Sequence, residues 1–297
     1  MVYSQIDSNK RKSFILIIVF IAIILLLGWL FGKLTNYGYN GLIIAMVISI
    51  GMSLVGYYSG DKIALVTAGA KKIEKKDNPY VYRMVENLCI TAGLPTPQVY
   101  IINDNAINAF AAGRDPKHAS IAVTAGAIDK LENEELEGVI AHELSHIKNF
   151  DIRLMTLVAI LVGTAIILSD WFFRGLFFGG RRNRDNKEGG IDGILMIVGL
   201  ILMILAPIIA QLIQLALSRK REFLSDASGV LLTRYPAGLA NALEKINMEN
   251  QPLQRASNAT AHLYISNPFG GKKNFMIKLF STHPPIEERI IALRKMM

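Results

Sequence analysis

The sharpest chemical signal in the sequence is a run of five residues, His142, Glu143, Leu144, Ser145 and His146. Histidines four apart on a helix project from one face, so both imidazoles can bind a single zinc ion. Glu143 lies about 100° around the same helix, where it reaches water activated by the metal rather than the metal itself. A carboxylate so placed takes a proton from water and later hands it to a leaving amine. The run therefore predicts one bound zinc per chain and hydrolytic chemistry.

Such a site needs three protein ligands and one open position. Glu222 and Asp226, again four apart, follow the last long apolar run on a predicted helix. An acid there can complete the ligand set, and Asp226 can instead accept the free ring N–H of a ligand histidine. Both could equally belong to a solvated helix start, with Glu222 paired to Arg219 or Arg221. His262 and His283 compete by residue type. Position favours Glu222, which lies beyond a hydrophobic hairpin that returns the chain to the side of His146. His118 and His262 stand without a partner motif and read as surface or structural. Asp151 either braces the ligand helix or sits solvated at the membrane edge.

The elements that must hold these residues follow from periodicity and turn chemistry. Residues 79–92 read as a helix and 99–102 as a short strand. Residues 119–124, with β-branched Ile121, Val123 and Thr124, read as a second strand. Residues 132–150 read as the motif helix, with Leu136, Val139, Ile140, Leu144 and Ile147 on its apolar face. Residues 286–297, after Pro284 and Pro285, read as the last helix.

Around these polar stretches lie four apolar runs, at residues 14–31, 41–58, 154–173 and 194–217. Of the 297 residues, 52% are hydrophobic and 19% charged, and the mean hydropathy of +0.34 excludes a disordered chain. The net charge of +8 sits beside apolar runs, which points to lipid headgroups rather than nucleic acid. Lys10, Arg11 and Lys12 precede the first run, and no small-x-small cleavage site follows it, so the run reads as a retained anchor. The balance of Lys and Arg places the N-terminus and both polar stretches in the cytoplasm of a multi-pass cell-membrane protein. The basic loop at residues 174–187 loads the opposite side and leaves open how fully 154–217 cross. The single cysteine, Cys89, excludes an internal disulfide.

The expected fold class is mixed α/β, mostly α: an integral membrane protein with two hydrophobic helical hairpins and a zincin-like metallopeptidase domain with a small β-sheet. Residues 1–58 form the first hairpin and 154–217 the second. Residues 59–153 and 218–297 are the two parts of the catalytic domain. A membrane zinc transporter would carry its ligands inside the crossing segments, whereas these lie in polar flanks.

His142-Glu143-Leu144-Ser145-His146, Glu222-Phe223-Leu224-Ser225-Asp226 and Thr282-His283-Pro284-Pro285 occur in that order among four apolar segments. With Asn108-Ala109-Phe110 and the stretch Ile121-Ala122-Val123-Thr124, they resemble the HtpX family of membrane-bound zinc metalloproteases, related to the CAAX prenyl proteases. The resemblance covers essentially the whole chain. It implies His142, His146 and Glu222 as zinc ligands, Glu143 as general base, and Asp226 behind His142. It implies that His283 donates to the oxyanion of the tetrahedral intermediate; a structural role at the start of the last helix is the alternative. Asn108, Ala109 and Phe110 would line the cleft beside an edge strand that pairs with extended substrate. The implied substrates are polypeptides, above all misfolded or damaged membrane proteins, degraded at the cytoplasmic face under stress.

Overall fold

The computed structural model describes residues 2–34, 38–163, 219–270 and 284–297. The second half of the third apolar run, all of the fourth, the basic loop and His283 lie outside the described residues. Two long helices open the chain, α1 (Val2–Leu34) and α2 (Tyr39–Ala68), packed side by side. Many of their large apolar side chains face outward, among them Phe14 at 65% and Val47 at 69% exposure. Water would not tolerate such a surface on a small domain. Among the described residues one stretch, Leu42–Ala68, is long and apolar enough to cross a membrane. Helix α2 runs past Tyr58 into the stretch read as polar, because only the four residues Ser59-Gly60-Asp61-Lys62 interrupt an apolar sequence that resumes at Ile63. It stops at Gly69, whose φ of 68° closes the helix in the left-handed region.

A four-stranded sheet follows, from β1 (Ala70–Lys72), β2 (Gln98–Ile102), β3 (Ala109–Asp115) and β4 (His118–Thr124). Its order is β1-β2-β4-β3. β2 runs parallel to β4, and the other two pairings are antiparallel. The parallel pair needs a crossover, and β3 supplies part of it before turning back on β4. β3 thus lies at one edge. It was not read as a strand from its sequence, since Ala109-Phe110-Ala111-Ala112-Gly113 holds no β-branched residue.

Helix α3 (Pro79–Ala92) is bounded by local chemistry. The Asn78 side chain accepts from the N–H of Val81 at 3.1 Å, Pro79 sits in the first turn, and left-handed Gly93 ends it. A short helix, α4 (Ala125–Lys130), leads to α5 (Asn133–Lys148), the motif helix. A reciprocal capping box starts α5, with the N–H of Glu132 donating to Glu135 Oε2 at 2.8 Å. Past a turn at Asn149 and Phe150, residues 151–163 continue as helix α6. The chain is next described in α7 (Arg219–Thr233), α8 (Pro236–Glu249) and α9 (Ile286–Arg294). α7 and α8 pack along α5, and α9 packs on α8.

The main core joins Val81, Val85 and Leu88 of α3 to Ile121 and Val123 of β4, to Leu136, Ile140 and Leu144 of α5, and to Leu239 and Leu243 of α8. The motif helix is thereby sandwiched, with the sheet on one side and α7 and α8 on the other. Its residues from Val139 to Ile147 are all buried. A second cluster ties Leu16 and Phe20 of α1 to Leu154, Leu157 and Leu161 of α6.

Candidate metal centre

Helical geometry brings His142 and His146 onto one face of α5, with their Nε2 atoms 3.1 Å apart. Glu222 enters from the first turn of α7. One of its carboxylate oxygens lies 3.7 Å from His142 Nε2 and the other 3.5 Å from His146 Nε2. The three side chains are buried, and their ligand atoms fall within 4.8 Å of one another. Gly229 permits this approach: a Cβ there would stand 3.1 Å from the backbone nitrogen of His142. Among the candidates for a third ligand, Asp226 stands behind His142 and His262 is held elsewhere. His283 lies outside the described residues.

Each histidine turns its other ring nitrogen toward a carboxylate. His142 Nδ1 lies 2.9 Å from Asp226 Oδ1, and His146 Nδ1 lies 3.1 Å from Asp151 Oδ2. With those carboxylates accepting from Nδ1–H, each Nε2 keeps its lone pair pointed at the other histidine and Glu222. Two neutral nitrogens and one carboxylate facing a common point suit zinc. The donor set therefore fits such an ion.

Arg289 of α9 went unremarked in the sequence, yet it underlies the whole arrangement. It is buried, donates through Nε and Nη2 to the two oxygens of Asp226 at 2.9 and 2.7 Å, and reaches the carbonyl of Ile265 at 3.0 Å. Nη1 also lies 3.7 Å from Glu222 Oε2. Burial opposes ionisation of Asp226, but the Arg289 guanidinium outweighs it and holds the pKa down at about 2. The only hint in sequence was an arginine one helical turn after Pro284-Pro285.

The environments of the two histidines differ. Burial and the nearby charge of Arg289 push His142 down to about 4, against the pull of Asp226. Burial also opposes the His146 imidazolium, but its hydrogen bond to Asp151 and the charges of Glu222, Asp151 and Glu143 raise it to about 9. Glu143 lies beside them under β3, where burial raises its pKa to about 7 against the pull of His146 and a hydrogen bond from the backbone of Ala111. A carboxyl poised near neutrality can both take and give a proton at physiological pH.

Ala109 and Phe110 open β3, Asn108 immediately precedes it, and all three are buried. Asn108 Nδ2 donates to the carbonyl of Ser266, and the N–H of Ile265 donates to the carbonyl of Ala109 at 2.9 Å. Phe110 bridges to Tyr264, their rings meeting edge-on with centroids 5.0 Å apart. The two other histidines among the described residues are structural or peripheral. His262 is buried with Nε2 2.9 Å from the carbonyl of Met155, and His118 is exposed beside Asp115. An open cavity of about 510 Å³ adjoins Arg289, lined in part by Ile107, Ser266, Asn267 and Pro285.

Two histidines four apart on one helix, an acid from a second helix meeting both, and a small sheet alongside are the arrangement of a metallopeptidase. The chain belongs to peptidase family M48, whose sequence profile matches residues 75–297. Over its full length it is 46% identical to a protease HtpX homolog of Tropheryma whipplei, the alignment covering 100% of this chain and 99% of that protein. It is also 46% identical to a protease HtpX homolog of Dictyoglomus thermophilum, over 99% of this chain and 94% of the other. The crystal structure of S. mikatae Ste24p aligns with 98% of this chain and 66% of its own, at 19% identity and a TM-score of 0.49.

Proposed function

We propose that this chain is a zinc-dependent endopeptidase embedded in the cell membrane, acting at the cytoplasmic face on polypeptides, chiefly misfolded or damaged membrane proteins. The observation that carries the reading is the convergence of His142 Nε2, His146 Nε2 and the Glu222 carboxylate, with Glu143 buried beside them. His142, His146 and Glu222 would hold one zinc ion per chain. When bound, zinc supplies a Lewis acid that acidifies water and polarises the scissile carbonyl.

The protein's own residues do the rest. Glu143 takes the proton of the attacking water and delivers it to the leaving amine nitrogen. Asp226 and Asp151 keep Nδ1 of the two histidines protonated and their rings oriented. Arg289 fixes Asp226 and offsets the negative charge of Glu222 and Asp226 together. His283 would donate to the oxyanion of the tetrahedral intermediate. Asn108, Ala109 and Phe110 would meet extended substrate along β3, once the 264–266 segment now paired there gives way. That mode reads backbone rather than side chains, which fits a broad range of damaged substrates.

Membrane placement is supported by the apolar surfaces of α1 and α2 and the Leu42–Ala68 span. The HtpX relatives carry the protease activity in their names. The test is cleavage of unfolded casein by the purified full-length chain in detergent. Activity should vanish with chelator, return with added zinc, and be absent in Glu143→Gln. Chelator-resistant cleavage, or full activity in Glu143→Gln, would refute the reading.

A further inference from the structure

The first helix reaches the metal centre. Asn9, in the polar first third of α1 ahead of its apolar run, is nonetheless buried. Both hydrogens of its side-chain amide are used. Nδ2 donates to Asp151 Oδ1 at 2.7 Å and to the carbonyl of Asn149 at 3.0 Å. The other oxygen of Asp151 faces His146 Nδ1 at 3.1 Å. An unbroken chain of contacts thus runs from the N-terminal helix, through one carboxylate, to a residue of the metal centre.

The place Asn9 grips is a strained one. Between Asn149 and Asp151 stands Phe150, whose φ of 58° is left-handed, a conformation disfavoured for any residue with a Cβ. This single residue turns the chain from α5 into α6. Asn9 binds the backbone on one side of it and the side chain on the other. Lys10 lies over the Phe150 ring at 4.7 Å, and the ring also faces Arg153 at 5.2 Å. Ser13, one turn on, donates to the carbonyl of Asn9 at 2.9 Å, and Leu16 and Phe20 then pack against α6. Arg221 Nη1 also approaches Asp151 Oδ1, but at 3.9 Å, so the amide of Asn9 at 2.7 Å is the close partner of that oxygen.

We propose that Asn9 is a positioning residue for the metal centre, orienting Asp151 toward His146 and clamping the Phe150 turn, so that the first helix is part of the site and not only an anchor. The inference rests on the zinc-peptidase reading. Its reach is through His146: loss of Asn9 leaves all three ligands in place but lets the His146 ring wander.

The test uses full-length protein in detergent, loaded with zinc, and follows release of the metal to a colorimetric chelator. Asn9→Leu should release zinc about tenfold faster, at the lower end of what loss of a ligand's hydrogen-bonded partner costs. Asp151→Asn should release it at least as fast, and the double variant no faster than Asp151→Asn alone, because both changes cut one chain of contacts. Leu16→Ala, which loosens the same helix through its apolar face, should lower Tm and leave zinc release unchanged. Should Asn9→Leu fail to fold, Asn9→Asp has the same shape, cannot donate, and sets a second carboxylate against Asp151; it too should release zinc faster. Wild-type release from the Asn9 variant, multiplying effects of Asn9 and Asp151, or equal acceleration by Leu16→Ala would overturn the proposal. If the wild-type chain itself takes up no zinc, the peptidase reading fails first, and that outcome is distinct from all of these.

Discussion

His146 and His142 share a helix face but differ in what a metal must displace. At pH 8 the metal-free protein holds His146, whose pKa is raised to about 9, as the imidazolium with both ring nitrogens protonated, and His142, lowered to about 4, as neutral imidazole with its one proton on Nδ1 toward Asp226. Zinc binding must expel the His146 proton, so affinity should rise with pH up to about 9 and fall below it. Calorimetry in buffers of different ionisation enthalpy should find about one proton released per zinc at pH 8; no release would show that zinc does not displace a proton from His146. The acids also separate. Glu222→Ala should lose most of its zinc on dialysis against a mild chelator, since two histidines alone bind weakly. Asp226→Ala should keep the ion but hold it roughly 10- to 100-fold more weakly. Elemental analysis distinguishes them, and a Glu222→Ala protein with full zinc content would transfer the third-ligand role elsewhere. Arg289→Leu strands the buried Asp226 carboxylate, a loss of about 3–5 kcal/mol. The Asp226 contribution to stability is complete above the unfolded pKa of about 3.9 and fades as pH falls through about 2.

At the scale of elements, the site depends on how closely α7 lies on α5. A side chain at Gly229 would press on the backbone of Ala141 and His142, with 3.3 Å to the carbonyl carbon of the first and 3.1 Å to the nitrogen of the second. Gly229→Val should therefore push α7 outward and carry Glu222 with it. The expected cost is about 1–3 kcal/mol in stability, seen as a lower Tm, together with reduced zinc content. A Tm and zinc content like those of wild type would mean that the two helices can slide without harm. Helix α3 offers a check on the core. Burial pushes the Cys89 thiol up to about 12, so the reactive thiolate is scarce below that pH. Maleimide at pH 7.5 should label Cys89 only after denaturation, and rapid labelling of folded protein would show that α3 is not packed as described.

On the scale of the whole molecule, the metal centre joins α5, which leads straight into α6, to α7, which emerges from the apolar stretch before residue 219. One ion can bridge them only if both lie on the same side of the bilayer. The sheet and α9 belong to the same packed body, since β3 packs against α5 and Arg289 of α9 binds Asp226. Reporters placed in the turn at Lys76 and after Met297 should thus report one compartment, which under the function proposed above is the cytoplasm. Reporters on opposite sides would rule out the shared site.

Much of this molecule was already determined by local pattern. The helix at 79–92 begins and ends where Asn78, Pro79 and Gly93 place it, because capping is a matter of neighbours in sequence. The HExxH helix, the β-branched strand and the shared histidine face are likewise consequences of a period of 3.6 or 2. The role of Asp151 was open from sequence, and only the fold set its carboxylate against His146. β1 and β3 escaped notice because one is three residues long and the other is built of Ala, Phe and Gly, so each is a strand only through its partner. Tertiary structure alone decided that Arg289 would bind Asp226 and that Asn9 would reach Asp151, since a buried hydrogen bond between groups 63 or 142 residues apart leaves no periodic trace. A pattern along the chain reports which face of an element is apolar; which polar group waits at that face is settled only when the elements meet and every buried donor must find an acceptor.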